Sequence, residues 1–173
     1  MSMDASPNIA ALGLGNLMRT DDGVGIHAIR RLLESDRLPR GVEVIEGGTL
    51  GLDLLPRLEG MTHVLAVDAV EFGGPPGTLY RFANRDLNSL PAGKSVHLLG
   101  FSDLVNALRL LGEAPSEVVL LGVQPESTDW GVALSPSVAA ALNELLEAAL
   151  SEIAEWLEPE TAGMTLYRDA DHI

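Results

Sequence analysis

Cysteine is absent from all 173 residues. That excludes disulfides, thiolate metal sites and cysteine nucleophiles. Basic residues are scarce: 11 Lys and Arg stand against 25 Asp and Glu, a formal net charge of −14. DNA and RNA are held by Lys and Arg that displace counterions, so the charge argues for no nucleic-acid partner. Anionic membrane surfaces are disfavoured for the same reason, and a cation, a metal ion or a basic peptide is favoured. No segment approaches the roughly twenty consecutive apolar residues that cross a bilayer, so no membrane association is expected. Residues 1–8 carry an Asp and a Pro but neither a basic patch nor a long apolar run, unlike a secretory signal. The expected compartment is the cytoplasm.

What the chain does have is enough apolar material for one ordinary domain. Hydrophobic residues make up 46% of it and charged residues 21%, which suits a folded globular protein and excludes disorder for its bulk. Ile9 to Gly15 is a short apolar run ending in glycine, read as a buried strand. A polar loop leads to a helix with Ile26, Ile29, Leu32 and Leu33 on one face. Thr20, Asp21 and Asp22 stand where N-caps and first-turn carboxylates are favoured. Val42 to Ile45 reads as a second strand, closed by the turn Glu46-Gly47-Gly48-Thr49. Leu50 to Leu58 is a short amphipathic helical segment around Pro56, and Thr62 to Val70 is a nearly continuous apolar strand of the buried parallel kind.

After the turn cluster Gly73 to Gly77, Thr78 to Phe82 is a further strand. Leu98 to Leu111 reads as a helix ended by Gly112, and Val118 to Val123 as a buried strand. Ser135 and Pro136 supply the cap and first position of a last helix running to about Leu157. The order β-α-β-α-β-β-α-β-α predicts a single three-layer α/β domain: an open, mostly parallel, twisted sheet with helices on both faces. Residues 1–157 form that domain, and the polar stretch 158–173 is expected to be a flexible tail.

Ligands of an open α/β sheet bind beyond the carboxyl ends of its strands. Asp22 follows the first strand, Asp68 ends the third, and His97 sits in the loop entering the third main helix. Two carboxylates and an imidazole suit a divalent ion such as nickel or zinc, or acid–base work without a metal. Asp68 is the sharpest of the three, because a carboxylate ending an apolar strand needs a compensating partner. It also reads as a turn-forming strand cap. Asp22 and His97 read equally as a helix cap and a solvated loop residue.

Gly13-Leu14-Gly15 resembles the start of a dinucleotide fingerprint, but Met18 holds the third glycine position and no nucleotide cofactor is expected. For Asp21, capping is the expected role. His27, His63 and His172 read as structural or solvated. Ser127, Thr128 and Ser137 show no base nearby in sequence, which leaves a serine triad as a minor reading.

As a set, these residues resemble the nickel–iron hydrogenase maturation endopeptidases. The N-terminal signature runs from Gly13 to Gly25 (GLGNLMRTDDGVG). It is followed by Glu46 to Thr49, Ala66 to Ala69, Pro76 to Thr78, Ser95 to His97 and Gly122 to Glu126. The resemblance covers about Ile9 to Leu157, and the order and spacing of the motifs make it specific. It implies a cytoplasmic enzyme that removes a C-terminal peptide from a hydrogenase large-subunit precursor once nickel has been inserted. On that resemblance Asp22, Asp68 and His97 are both the catalytic set and the ligands of the nickel, which the substrate carries. The family's glycine-rich loop usually begins with Asp, and here Glu46 takes that place. Three other activities share these features: a non-cleaving chaperone that checks for nickel, a metal-dependent hydrolase of small molecules, and a related protease acting on a different precursor. The sequence leaves the oligomeric state open.

Overall fold

The computed structural model describes residues 6–84, 87 and 96–158, without the side chains of 96–99. Five strands alternate with helices: β1 (Ile9–Leu14), α1 (Val24–Leu33), β2 (Glu43–Gly48), α2 (Leu55–Leu58), β3 (His63–Ala69), β4 (Leu79–Ala83), α3 (Val96–Leu111), β5 (Glu117–Val123) and α4 (Pro136–Leu157). Single 3₁₀ turns precede α1 (Thr20–Gly23) and α2 (Gly51–Leu54). The strands lie in the order β2-β1-β3-β5-β4. All pairings are parallel except that of β4 with β5. The expected open, mostly parallel sheet is what forms.

Alternation along the strands divides the core in two. Ile9, Ala11, Leu65, Val67 and Val119 face α1 and α4. Ala10, Leu12, Val64, Ala66 and Leu120 face α2 and α3. Strand β3, buried from Val64 to Ala69, is apolar on both faces because helices cover both. Ser135 caps α4, its Oγ accepting the Val138 N–H at 3.4 Å, and Pro136 opens the helix as expected. Among the described residues no helix is long and apolar enough to cross a membrane. Of the expected tail 158–173, residues 159–173 lie outside the described residues.

Two element ends differ from the sequence reading. Strand β2 continues through Gly48, since Glu46 still pairs with Gly13 and Gly48 with Leu14, across an irregularity between Gly13 and Leu14. The glycines that read as a turn therefore extend the sheet edge. Helix α3 begins at Val96, so His97 belongs to its first turn and not to a loop.

Helix α1 crosses the sheet at Gly25. A Cβ there would lie 2.2 Å from the Val67 carbonyl oxygen and 2.3 Å from that of Leu14. Both obstacles are backbone of central strands, so the helix itself would have to retreat. Gly25→Ala is expected to cost about 3 kcal/mol of stability, read from denaturant midpoints. A midpoint equal to that of the unsubstituted protein would show that α1 has room to shift.

Candidate functional site

The carboxyl ends of β1 and β3 converge on Gly15. Its φ of +113° belongs to glycine, and its N–H donates to the Gly48 carbonyl at 3.0 Å. A Cβ on Gly15 would lie 1.7 Å from the Asp22 carbonyl oxygen and 3.7 Å from Asp68 Oδ1. No side chain fits here, and its absence lets the Asp22 turn and the Asp68 carboxylate close onto one spot. Sequence positions 22 and 68 are thus brought together.

The two carboxylates are held differently. Asp68 is fully buried, and its Oδ1 accepts the N–H of Ala69 at 2.9 Å. Asp22 is half-buried, and its Oδ2 accepts the N–H of Asn16 at 2.9 Å, closing the loop after β1. The side chain of His97 lies outside the described residues, as does His172. Among the described residues no three His, Cys, Asp or Glu side chains gather as a metal-holding group.

Asp21 does not cap a helix, contrary to expectation. Its side chain is fully buried and turns away to the loop between β5 and α4. There Oδ2 accepts the N–H groups of Glu126 and Ser127 at 2.9 and 3.1 Å, and Oδ1 that of Ser135 at 2.7 Å. A carboxylate is acceptor-only and has lone pairs for all three donors. The neighbouring backbone continues the junction. Thr20 N–H donates to the Gly131 carbonyl at 2.7 Å, Asp21 N–H to that of Ser127 at 3.1 Å, and Gly131 N–H to that of Met18 at 3.0 Å. Arg19 lies 5.8 Å from the centre of the exposed Trp130 ring. The loop carrying Asp22 is therefore fixed to a second loop more than a hundred residues away.

Glu46 is the other residue whose role differs from its sequence reading. It stands on β2, and both its oxygens accept from Arg30 of α1, Oε1 from Nε and Oε2 from an NH group, each at 2.9 Å. The Arg30 guanidinium holds this carboxyl below the usual carboxylate range. Glu46 is thus held as a carboxylate in an ion pair with Arg30.

The remaining candidates scatter. Ser137 Oγ donates to Glu126 at 2.8 Å, and Ser127 Oγ accepts the Asp129 N–H at 3.2 Å. The Thr128 carbonyl accepts from Arg19 Nε at 2.9 Å. No described histidine stands with these hydroxyls, which gives the serine triad no support. His63 lies against Trp156 with ring centres 5.1 Å apart, and its Nδ1 is 2.9 Å from Thr62 Oγ1. His27 packs in α1. Burial pushes the imidazoles of both below their ordinary value, as structural histidines.

At the carboxyl ends of β1 and β2 the sheet edge opens into two adjoining cavities. One, of about 260 Å³, is lined by Gly15, Asn16, Leu17, Ile26 and Glu46 with Gly48 and Thr49. The other, of about 320 Å³, shares Gly48 and Thr49 and runs beneath Leu14 toward α3.

Known proteins share this fold. The HycI family model, described as hydrogenase maturation protease, matches residues 26–152. The hydrogenase expression/formation protein HupD of Rhodobacter capsulatus is 37% identical over 93% of this chain and 78% of its own length. The hydrogenase 2 maturation protease of Escherichia coli (strain K12) is 36% identical over 85% of this chain and 91% of its own. Among solved structures, the hydrogenase maturating endopeptidase HybD from E. coli superposes with a TM-score of 0.80 at 35% identity. It covers 86% of this chain and 93% of its own. The [NiFe] hydrogenase maturation protease HybD from Thermococcus kodakarensis gives a TM-score of 0.72 at 27% identity, covering 85% and 99%. With the family model spanning well over half of it and these relatives matched along most of their lengths, the chain belongs to the hydrogenase maturation proteases and is a peptidase.

Proposed function

We propose that this protein removes the C-terminal extension of a nickel–iron hydrogenase large-subunit precursor, in the cytoplasm, and acts only after nickel has been inserted. The observation that carries the reading is the convergence of the Asp22 turn and the buried Asp68 carboxylate on Gly15, at the carboxyl edge of the sheet. Two carboxylates with the imidazole of His97 form an oxygen and nitrogen set suited to nickel. The nickel is part of the substrate. Asp22, Asp68 and His97 ligate it transiently and so place the scissile peptide beside it. Polarisation of that carbonyl, or activation of a bound water, supplies the chemistry, and a carboxylate assists as general base. Selectivity for loaded precursor follows, since binding energy at the acids arises only when the metal is present.

The test is to incubate the protein with the precursor of its host's hydrogenase, with and without nickel, and follow the precursor's mass. A discrete C-terminal loss confined to the nickel-loaded form is expected. Cleavage of both forms would remove the metal role of Asp22, Asp68 and His97 and leave the peptidase. A stable complex without cleavage would favour the nickel-checking chaperone.

A further inference from the structure

We propose that the larger cavity beside the acids is a specificity subsite for one aliphatic side chain flanking the scissile bond. This rests on the peptidase reading above and names what the enzyme recognises besides the metal. The cleft has a volume of about 320 Å³ and lies against Leu14, Leu54, Phe101 and Leu104. These four side chains are almost fully buried, so its walls are core residues and its floor is apolar. Gly48, Gly51 and Gly100 are among its lining residues and put no side chain into it. An engineered apolar cavity of about 150 Å³ already takes up a benzene-sized guest. This one is large enough for Val, Ile, Leu or Met.

Its position gives it a substrate. Gly13 pairs with Val67, so Leu14 and Asp68 follow one residue later on neighbouring strands. Even-numbered residues of both strands face α3, which puts the Leu14 wall and the Asp68 carboxylate on the same face of the sheet. The second cavity adjoins through Gly48 and Thr49 and adds the polar groups of Asn16 and the Arg30-bound Glu46, whereas Thr49 is the one polar side chain among the described residues lining the first. An extended peptide held at the acids would have an apolar cavity on one side and a polar one on the other. Leu50 and Leu52, more than half exposed on either side of Gly51, form an apolar lip. An aliphatic side chain entering there exchanges water for apolar walls, whereas a charged one would be stripped of water without a partner.

Gly100 provides the test. A Cβ added there meets only the Gly51 Cα, at 3.6 Å, an ordinary contact. Gly100→Ala should therefore leave the thermal midpoint unchanged or raise it, a mid-helix glycine being intrinsically unfavourable. Gly100→Leu grows into the void, and its kcat/KM on the nickel-loaded precursor should fall by about tenfold or more. Shortening the precursor's aliphatic residue beside the cut, located from the mass loss, to Ala should restore cleavage by Gly100→Leu. Changing that residue to Asp should slow the unsubstituted enzyme by at least as much, with no question of misfolding. Equal cleavage by Gly100→Leu and the unsubstituted protein, or unimpaired cleavage of the Asp precursor, would overturn the subsite and leave the peptidase intact. An unsubstituted protein that leaves the nickel-loaded precursor whole would overturn both.

Discussion

Asp68→Asn is expected to reduce processing of the nickel-loaded precursor roughly a thousandfold, a loss of about 4 kcal/mol of transition-state stabilisation. The fold should survive. Asparagine is the isostere, and its Oδ1 can still accept the Ala69 N–H that Asp68 Oδ1 accepts at 2.9 Å. What disappears is a negative charge in a fully buried position. The thermal midpoint should move by no more than a few degrees while the released peptide vanishes from the mass spectrum. That contrast separates the proposed role from the strand-cap reading, under which asparagine would serve as well as aspartate. Cleavage at the normal rate by Asp68→Asn would sink the ligand assignment.

Asp68 was legible because its surroundings dictate its burial. Apolar residues from Val64 to Val67 precede it and Ala69 and Val70 follow, so the side chain had no route to solvent once β3 became a central strand. The end of β1 was legible for a related reason, a glycine closing an apolar run before a polar loop. The layered architecture followed from alternation of apolar runs and amphipathic helices, which depends on residues a few positions apart. The end of β2 was misread because glycine signals a turn locally. Its actual conformation is set by the neighbouring strand, which still offers Gly13 and Leu14 for pairing.

The same limit hides the Arg30 pair from anyone reading Glu46 in sequence. The two residues meet only because α1 lies over the edge of β2, and nothing local to either announces the other. The cleft beside Leu14 is invisible for a further reason, since the glycines that line it, Gly48, Gly51 and Gly100, lie on elements that meet only in the fold. Its glycines look like ordinary turn and helix residues until the segments pack.

Asp21 shows the limit most clearly, and its substitution should have the largest effect on stability. Its three N–H donors come from residues 105 to 114 positions away, so an adjacent helix start was the only role the sequence could suggest. Asp21→Ala would leave those donors without their acceptor in a buried position. At 1–3 kcal/mol for each unsatisfied group, less whatever water can enter, the expected cost is about 4 kcal/mol. For a domain of this size that lowers the thermal midpoint by roughly 12 °C. Asp21→Asn should fare little better, because its amide nitrogen would confront a backbone N–H with another donor. The consequence reaches the site through one residue. The loop from Ser127 to Ser135 and the turn carrying Asp22 are joined by this carboxylate and by the Thr20 and Gly131 backbone bonds. Loosening the junction frees Asp22 to depart from Gly15. At a temperature where Asp21→Asn remains folded, its processing rate should therefore fall as well, with the demand for nickel-loaded precursor retained. Full activity and an unchanged midpoint in Asp21→Asn would show that the backbone bonds alone hold the two loops together.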